Sequence, residues 1–202
     1  MTLSKKESEA DARYRFIDPM VRECWDAERV LLERPISNGK ISPAGRSGKR
    51  NEDTVKIPDY VLEIAPNIPI CIIEAKSKYV DAIEGMPQAK KYAKLLNVKF
   101  AYASNNKIIK EYDDITKQQK TVTKIPCPEE LWNRLNSNFK FSETQKEEYM
   151  YPLNKEFDTP EGKIMEPRYY QQNAINITIE KILRKEDRIL LALATGTGKT
   201  FI

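Results

Sequence analysis

One aspartate and one Glu-x-Lys triplet are the residues best suited to chemistry in this sequence. Asp59 follows Pro58, and Glu74-Ala75-Lys76 ends the apolar run Ile70-Cys71-Ile72-Ile73. Glu74 and Lys76 are two apart, and the strand period of two puts both side chains on one sheet face. The strand bearing Asp59 precedes theirs across the turn signal Ala65-Pro66-Asn67, so a hairpin can bring Asp59 beside Glu74. Two carboxylates converging at a strand end suit a hard cation such as Mg²⁺, with water filling the remaining positions. Such a cation polarises a phosphodiester and lowers the pKa of a bound water. Lys76 would orient that water or neutralise charge on the phosphate. A bare Glu-x-Lys is usually a surface ion pair worth little. Three features favour chemistry here: the apolar strand it caps, the aspartate at hairpin distance, and flanking segments rich in Lys and Arg, as a phosphate-tracking groove needs.

A second constellation stands at the end of the chain. Thr195-Gly196-Thr197-Gly198-Lys199-Thr200 follows the apolar run Ile189-Leu190-Leu191-Ala192-Leu193 and reads as a Walker A loop. Its backbone N–H groups cradle phosphates, Lys199 reaches the β- and γ-phosphates, and the Thr200 hydroxyl ligates Mg²⁺. The general pattern has glycine where Leu193 stands, a departure that resembles helicases of superfamily two. Arg168-Tyr169-Tyr170-Gln171 resembles the adenine-reading Q motif of the same helicases, with Gln171 on the adenine edge and Tyr170 packing nearby. No Walker B acid or arginine finger occurs before Ile202, so this stretch alone is not expected to hydrolyse ATP.

Composition narrows the chemistry further. The 202 residues are 40% hydrophobic and 32% charged, which is globular rather than disordered. The net charge of +4 is too mild to identify a partner by itself. The absence of histidine excludes Ser-His-Asp and Cys-His hydrolysis, His-ligated zinc and imidazole acid–base catalysis, and leaves carboxylates and lysines. Cys24, Cys71 and Cys127 contain no C-x-x-C, and their odd count and wide spacing suit reduced thiols. Cys71 lies in an apolar run and reads as a core filler. No stretch approaches the ~20 apolar residues of a membrane span, so no membrane partner is expected and the expected location is cytoplasmic.

The elements that must position these residues follow from periodicity. Ser4-Lys5-Lys6-Glu7 reads as a capping box opening a helix, whose apolar stripe runs through Ala12, Phe16 and Met20 and through Ile17, Val21 and Trp25. Strands are expected at 29–36, 55–64, 69–76, 99–103, 107–112 and 119–125, and helices at 81–97 and 129–135. Pro87 either kinks the first of these helices or marks its true first turn. Residues 37–56 form a loop holding Lys40, Arg46, Lys49, Arg50 and Lys56 against Glu52 and Asp53, a basic segment leading into Asp59. Such a loop either embraces DNA phosphates or is merely solvated. From Asn136 to Glu166 the chain reads as polar and irregular. A helix at 169–183 and a strand at 188–193 then lead to the glycine loop. The expected organisation is residues 1–137 as one domain, 138–166 as linker, and 167–202 as the start of another.

The Asp…Glu-x-Lys arrangement resembles the PD-(D/E)xK nuclease superfamily, and Gln88 and Tyr92 on the following helix resemble the Q-x-x-x-Y element of some of its branches. A nuclease domain preceding a superfamily-two motor resembles the restriction (R, or HsdR) subunits of type I restriction-modification enzymes. Ile17-Asp18-Pro19-Met20 with Cys24-Trp25, Gly48-Lys49-Arg50 before Pro58-Asp59-Tyr60-Val61-Leu62, Ile73-Glu74-Ala75-Lys76, Phe100-Ala101-Tyr102-Ala103-Ser104-Asn105 and Pro128-Glu129-Glu130-Leu131-Trp132 carry the likeness in order; Cys24 stands where the family has glycine. The resemblance implies an α/β fold: a restriction-endonuclease-like mixed sheet flanked by helices, then the first helix, strand and P-loop of a RecA-like motor. It implies Mg²⁺-dependent cleavage of double-stranded DNA, ATP-driven translocation in the full protein, and modification and specificity subunits as partners. Asp59, Glu74 and Ala75 become the metal-holding residues, and Asp59, Glu74, Lys76, Gln88 and Tyr92 the catalytic set. Many such nucleases add an acid from the first helix; Glu9 is the best placed, with Glu7, Asp11 and Glu23 as competitors. The alternative is a helicase-associated DNA-binding or protein-docking module with an inactive nuclease fold.

Overall fold

The computed structural model describes residues 8–37, 41–42, 49–50, 55–151, 157–158, 164–165 and 167–193. The chain forms two compact units, one of Met1–Ile36, Lys56–Ile64 and Pro69–Asn138, the other of Ser37–Val55, Ala65–Ile68 and Phe139–Ile202.

In the first unit, α1 (Glu9–Ala12) runs through a π-helical segment (Arg13–Ile17) into α2 (Asp18–Arg22). The expected capping box at Ser4 to Glu7 lies outside the described residues. The observed one uses Ser8 and Asp11: the Asp11 N–H donates to Ser8 Oγ, and the Ser8 N–H to Asp11 Oδ2. Pro19 lies inside this continuous helical run, directly after the π-helical segment, so its missing N–H leaves the ladder one bond short there. Of the expected stripe, Ala12, Ile17, Val21 and Trp25 are buried, while Phe16 and Met20 are half-buried.

β1 (Val30–Leu32) follows, and the expected long strand stops there because Glu33 takes a φ of 49°. β2 (Ile36–Ser37) pairs with β5 (Val55–Lys56), and β3 (Ile41–Ser42) with β4 (Lys49–Arg50), in two short ladders. The expected strand at 55–64 is interrupted at Pro58, which lacks a ladder donor, and resumes as β6 (Tyr60–Ala65). β7 (Ile68–Ala75) follows after only Pro66 and Asn67; so short a link between neighbouring strands makes them antiparallel. Asn67 supplies the positive φ, 61°, of this turn.

β8 (Phe100–Ser104) lies parallel to β7, and a parallel pair requires a crossover. A 3₁₀ turn (Ala82–Gly85) and α3 (Met86–Leu96) provide it, with Pro87 in the first turn of α3 and Asn97, at φ 57°, as its left-handed cap. β9 (Ile109–Asp113) and β10 (Gln118–Val122) add antiparallel strands, completing a six-stranded mixed sheet in the order β1-β6-β7-β8-β9-β10. β7 is buried on both faces, which explains its unbroken apolar sequence. α4 (Pro128–Phe139) buries Leu131, Trp132 and Leu135.

Two of the three cysteines depart from the expectation of reduced thiols. Cys24 and Cys127 are disulfide-bonded, while Cys71 is free and buried. Their separation of 103 residues gave no hint of contact, yet the end of α2 meets the segment entering α4, where Trp25 Nε1 donates to Pro126 O at 3.1 Å.

In the second unit, α5 (Glu143–Met150) occupies part of the stretch expected to be irregular. Its signal was present in Ser142 and Gln145, a capping box in which each side chain accepts from the other's N–H. α6 (Tyr169–Leu183) has the expected limits, and Gln145 Nε2 donates to Leu183 O at 3.1 Å. β11 (Phe157–Asp158) and β12 (Ile164–Met165) form a short ladder. The expected strand at 188–193 does not form. No described strand pairs with it, an unpaired strand has no ladder to stabilise it, and Leu190 is 92% exposed. Among the described residues, no helix is long and apolar enough to cross a membrane.

Candidate active site

The hairpin brings Asp59 to the end of β7. The Ala75 N–H donates to Asp59 Oδ2 at 2.7 Å, so the aspartate is fixed on the backbone between Glu74 and Lys76. Glu74 and Lys76 share a sheet face as their spacing requires, with Lys76 Nζ 3.1 Å from Glu74 Oε1. Glu74 is only 3% exposed, and its second oxygen, Oε2, is buried with no hydrogen-bond partner. Burial raises its pKa to about 7; the negative charge of Asp59 adds to the rise, and Lys76 opposes it. Lys76 moves up from its ordinary value, because the contacts with Glu74 and the charges of Glu9 and Asp59 outweigh its own burial.

Gly85 lets the 3₁₀ turn lie against this pair. A Cβ there would sit 3.3 Å from both Lys76 Cγ and Ala103 Cβ, and 3.4 Å from Glu74 Cγ. On the helix that follows, Gln88 Nε2 donates to Tyr92 Oη at 2.8 Å. Tyr92 is buried rather than on a solvated helix surface. Burial raises its pKa, Gln88 lowers it, and the charges of Glu74, Lys76 and Asp59 reach it. From the first helix, Glu9 comes within 3.8 Å of Lys76 Nζ while remaining 54% exposed. Asp11 is held in the Ser8 cap, and Glu7 lies outside the described residues.

One residue of the cluster was not anticipated. Arg13 reaches Asp59 Oδ1 at 3.0 Å and Glu33 Oε1 at 2.8 Å through the same Nη1. No local rule pairs an arginine with an aspartate 46 positions later.

The donor set fits a divalent cation. Glu74 Oε2 is an orphaned buried acceptor, and each carboxylate oxygen of Asp59 retains a lone pair beyond its one described hydrogen bond. Asp59, Glu74 and Ala75 would form the protein side of such a site, with oxygen donors of the kind Mg²⁺ takes.

The residues expected at the adenine belong to the second unit. Arg168 and Gln171 cap α6: the Arg168 N–H donates to Gln171 Oε1 at 2.8 Å, which commits that oxygen to the helix, and Arg168 Nη1 lies 3.1 Å from Tyr170 Oη. Thr195, Gly196, Thr197, Gly198, Lys199 and Thr200 lie outside the described residues, as do Lys40 and Arg46 of the basic segment.

Residues 164–202 match a family model described as the res subunit of type III restriction enzymes. The chain is 33% identical to the type I restriction enzyme EcoAI endonuclease subunit of Escherichia coli, over 96% of this chain and 24% of that one. It is 24% identical to the EcoKI endonuclease subunit of Escherichia coli, over 96% of this chain and 20% of that one. A solved fragment of an HsdR subunit of a type I restriction enzyme from Vibrio vulnificus superposes with a TM-score of 0.77 at 32% identity, covering 96% of this chain and 36% of the other. The chain therefore spans only a minor part of the length of these relatives, and the mixed α/β fold is shared with the Vibrio structure.

Proposed function

The chain is homologous to the endonuclease (HsdR) subunits of type I restriction enzymes, and from that premise we propose that it cuts double-stranded DNA. The reaction is Mg²⁺-dependent hydrolysis of a phosphodiester at Asp59, Glu74 and Lys76. In the longer protein it is coupled to ATP-driven translocation along DNA, within a complex that includes modification and specificity subunits. The motor begins near residue 167, with Arg168, Tyr170 and Gln171 at the adenine and the loop from Thr195 to Thr200 at the phosphates.

The observation that carries the reading is the Glu74 carboxylate. It is buried against a second carboxylate and leaves Oε2 without a partner. A structural ion pair has no use for that cost, because a buried charge is stable only when paired and fully hydrogen-bonded. When bound there, Mg²⁺ would polarise the phosphodiester and lower the pKa of an attacking water. Asp59 stays in place through the Ala75 N–H and Arg13. Lys76 remains protonated, so it acts as a donor and counter-charge to the phosphate rather than as a base. Tyr92, also kept protonated, offers a hydroxyl fixed by Gln88 at the edge of the site. Glu9 reaches Lys76 from the exposed side and orients its ammonium.

The test is cleavage of plasmid DNA by the full-length subunit in its complex. Asp59→Ala, Glu74→Gln and Lys76→Ala should each abolish cutting and leave DNA-stimulated ATP hydrolysis near its parental rate. Cleavage persisting in Glu74→Gln would remove the metal assignment.

A further inference from the structure

The register of the sheet extends the catalytic face beyond the carboxylates. Glu74 lies opposite Ala103, Ala103 opposite Lys110, and Lys110 opposite Thr121. Directly paired residues point to the same side of a sheet, so these four form one row on one face. The neighbouring row runs Ile72, Ala101, Tyr112, Gln119 on the same face. A Cβ on Gly85, in the turn entering α3, would meet both Glu74 and Ala103, so this turn lies over the face. Lys90 of α3 reaches across to the second row, with Nζ 3.8 Å from the centre of the Tyr112 ring and 3.1 Å from Gln119 Oε1.

Unlike Lys76, which is paired with Glu74, the Lys90 and Lys110 ammoniums rest on neutral groups. Lys110 Nζ donates to Thr121 Oγ1 at 2.8 Å, and Lys90 has the tyrosine ring and the glutamine amide. Among the described residues no carboxylate pairs with either. The acids of β9, Glu111 and Asp113, alternate to the other face and are held by Arg134. Asp114, beyond the strand end, is bound by Lys117 and the Tyr112 hydroxyl. Two positive charges with no carboxylate partner among the described residues are therefore held in position by neutral side chains, Lys110 in the row of Glu74 and Lys90 over the neighbouring row.

We propose that Lys90 and Lys110 bind the DNA backbone to one side of the scissile bond, each to one phosphate, with Thr121 and Gln119 orienting them. The assignment of the strand being cut rests on the nuclease reading above. Lys110 is two strands from Glu74, and strands are spaced about 4.8 Å apart, so the two lie about 10 Å apart across the sheet. Phosphates of one DNA strand advance about 3.4 Å per nucleotide along the axis, which places the contact on the order of three nucleotides from the bond that breaks. Contacts of this kind fix the register of the duplex without reading its sequence.

The experiment measures affinity of the full-length protein for a duplex without a recognition sequence, with Ca²⁺ replacing Mg²⁺ to block cutting, across a salt series. For Lys90→Gln/Lys110→Gln the log–log salt slope should fall by about 2 relative to the parent, and affinity by on the order of tenfold at about 0.1 M salt. Lys90→Arg/Lys110→Arg should retain the parental slope, which separates lost charge from disturbed packing. A glutamine double variant with the parental slope and the parental affinity overturns the proposal; so does an arginine variant that loses as much slope as the glutamine one. Glu74→Gln, run in parallel, should bind with unchanged slope and cut nothing. If instead it cuts normally, the nuclease reading falls while a slope change in the lysine variant still establishes the backbone contact.

Discussion

Arg13 Nη1 and Asp59 Oδ1 are 3.0 Å apart, and this contact joins the first helix to the hairpin that presents the carboxylate proposed to hold the cation. The other oxygen of Asp59 is fixed by the backbone of β7. Asp59 is thus oriented from two directions before any cation arrives. Outer contacts of this kind hold a ligand in its productive orientation, and losing one commonly costs 10–100-fold in metal affinity or activity. Arg13→Met should therefore lower cleavage by about that factor, mainly by raising the Mg²⁺ concentration needed for half-maximal rate. ATP hydrolysis should not change. A Mg²⁺ titration matching the parent would mean that the Ala75 N–H alone positions Asp59.

Glu74 makes the site sensitive to pH in opposite senses with and without metal. Its pKa is about 7 in the fold against an ordinary 4.5. Between these values the folded protein holds a proton that the unfolded chain has released, so metal-free stability falls as pH rises through that window. The slope from this group is at most about 1.4 kcal/mol per pH unit. Thermal denaturation without Mg²⁺ should show the fall, and Glu74→Gln should flatten it and raise Tm at pH 8. Because Mg²⁺ binds the ionised form, cleavage should have an acidic limb near pH 7 at low Mg²⁺ that moves lower as Mg²⁺ is raised. A limb unmoved by Mg²⁺ would assign it to another group.

Gly85 sets how closely the 3₁₀ turn covers Glu74 and Lys76. Two of the atoms a Cβ would meet belong to flexible side chains, but Ala103 Cβ is fixed to the centre of the sheet. Gly85→Ala must therefore push the turn outward, at about 1–3 kcal/mol as in other overpacked cores. The displaced turn carries α3, so Gln88 and Tyr92 should move with it. We expect a lower Tm and a loss of cleavage larger than that of DNA binding. Unchanged Tm and rate would show that the turn adjusts without strain.

Why Asp59, Glu74 and Lys76 could be read from the sequence is physical: a period of two and a two-residue turn leave a hairpin little choice of face. Gln88 and Tyr92 were equally local, four apart on one helix. Arg13 was not legible, because its target is distant in sequence and its direction depends on a π-helical segment that shifts the register of the helix. The place of Lys110 was hidden for a related reason. Its row with Glu74 exists only through the pairing of β8, which the sequence does not state. Local signals were also missed outright: Pro58 and Glu33 broke strands that apolar content suggested were continuous, and the Ser142–Gln145 cap marked a helix within apparently featureless polar chain.

Arg134 and Glu111 allow the opposite face to be tested separately. Glu111 is 1% exposed, accepts from Arg134 Nη1 and Nη2 at 2.9 Å each, and accepts from Tyr102 Oη at 2.8 Å. The same guanidinium binds Asp113 and lies 4.5 Å from the centre of the Phe100 ring. Burial alone would raise the pKa of Glu111, but the hydrogen bonds from Arg134 and Tyr102 and the charges of Arg134 and Lys120 bring it below the ordinary carboxylate value. In the parent this group therefore contributes stability above its unfolded pKa that is lost as pH falls through the folded one. Arg134→Met leaves the carboxylate buried without its counter-charge, at a cost of about 3–5 kcal/mol. Burial then dominates, the folded pKa rises above the unfolded one, and the sign of the pH dependence inverts: the variant should gain stability as pH is lowered from 7 to 5. Adding Glu111→Gln should recover part of the loss and abolish the inversion. Since Glu111 and Asp113 alternate to the face away from Glu74, the folded variant should still cut DNA at low temperature. A variant that loses stability as pH falls, as the parent does, would place the counter-charge of Glu111 on Lys120 instead.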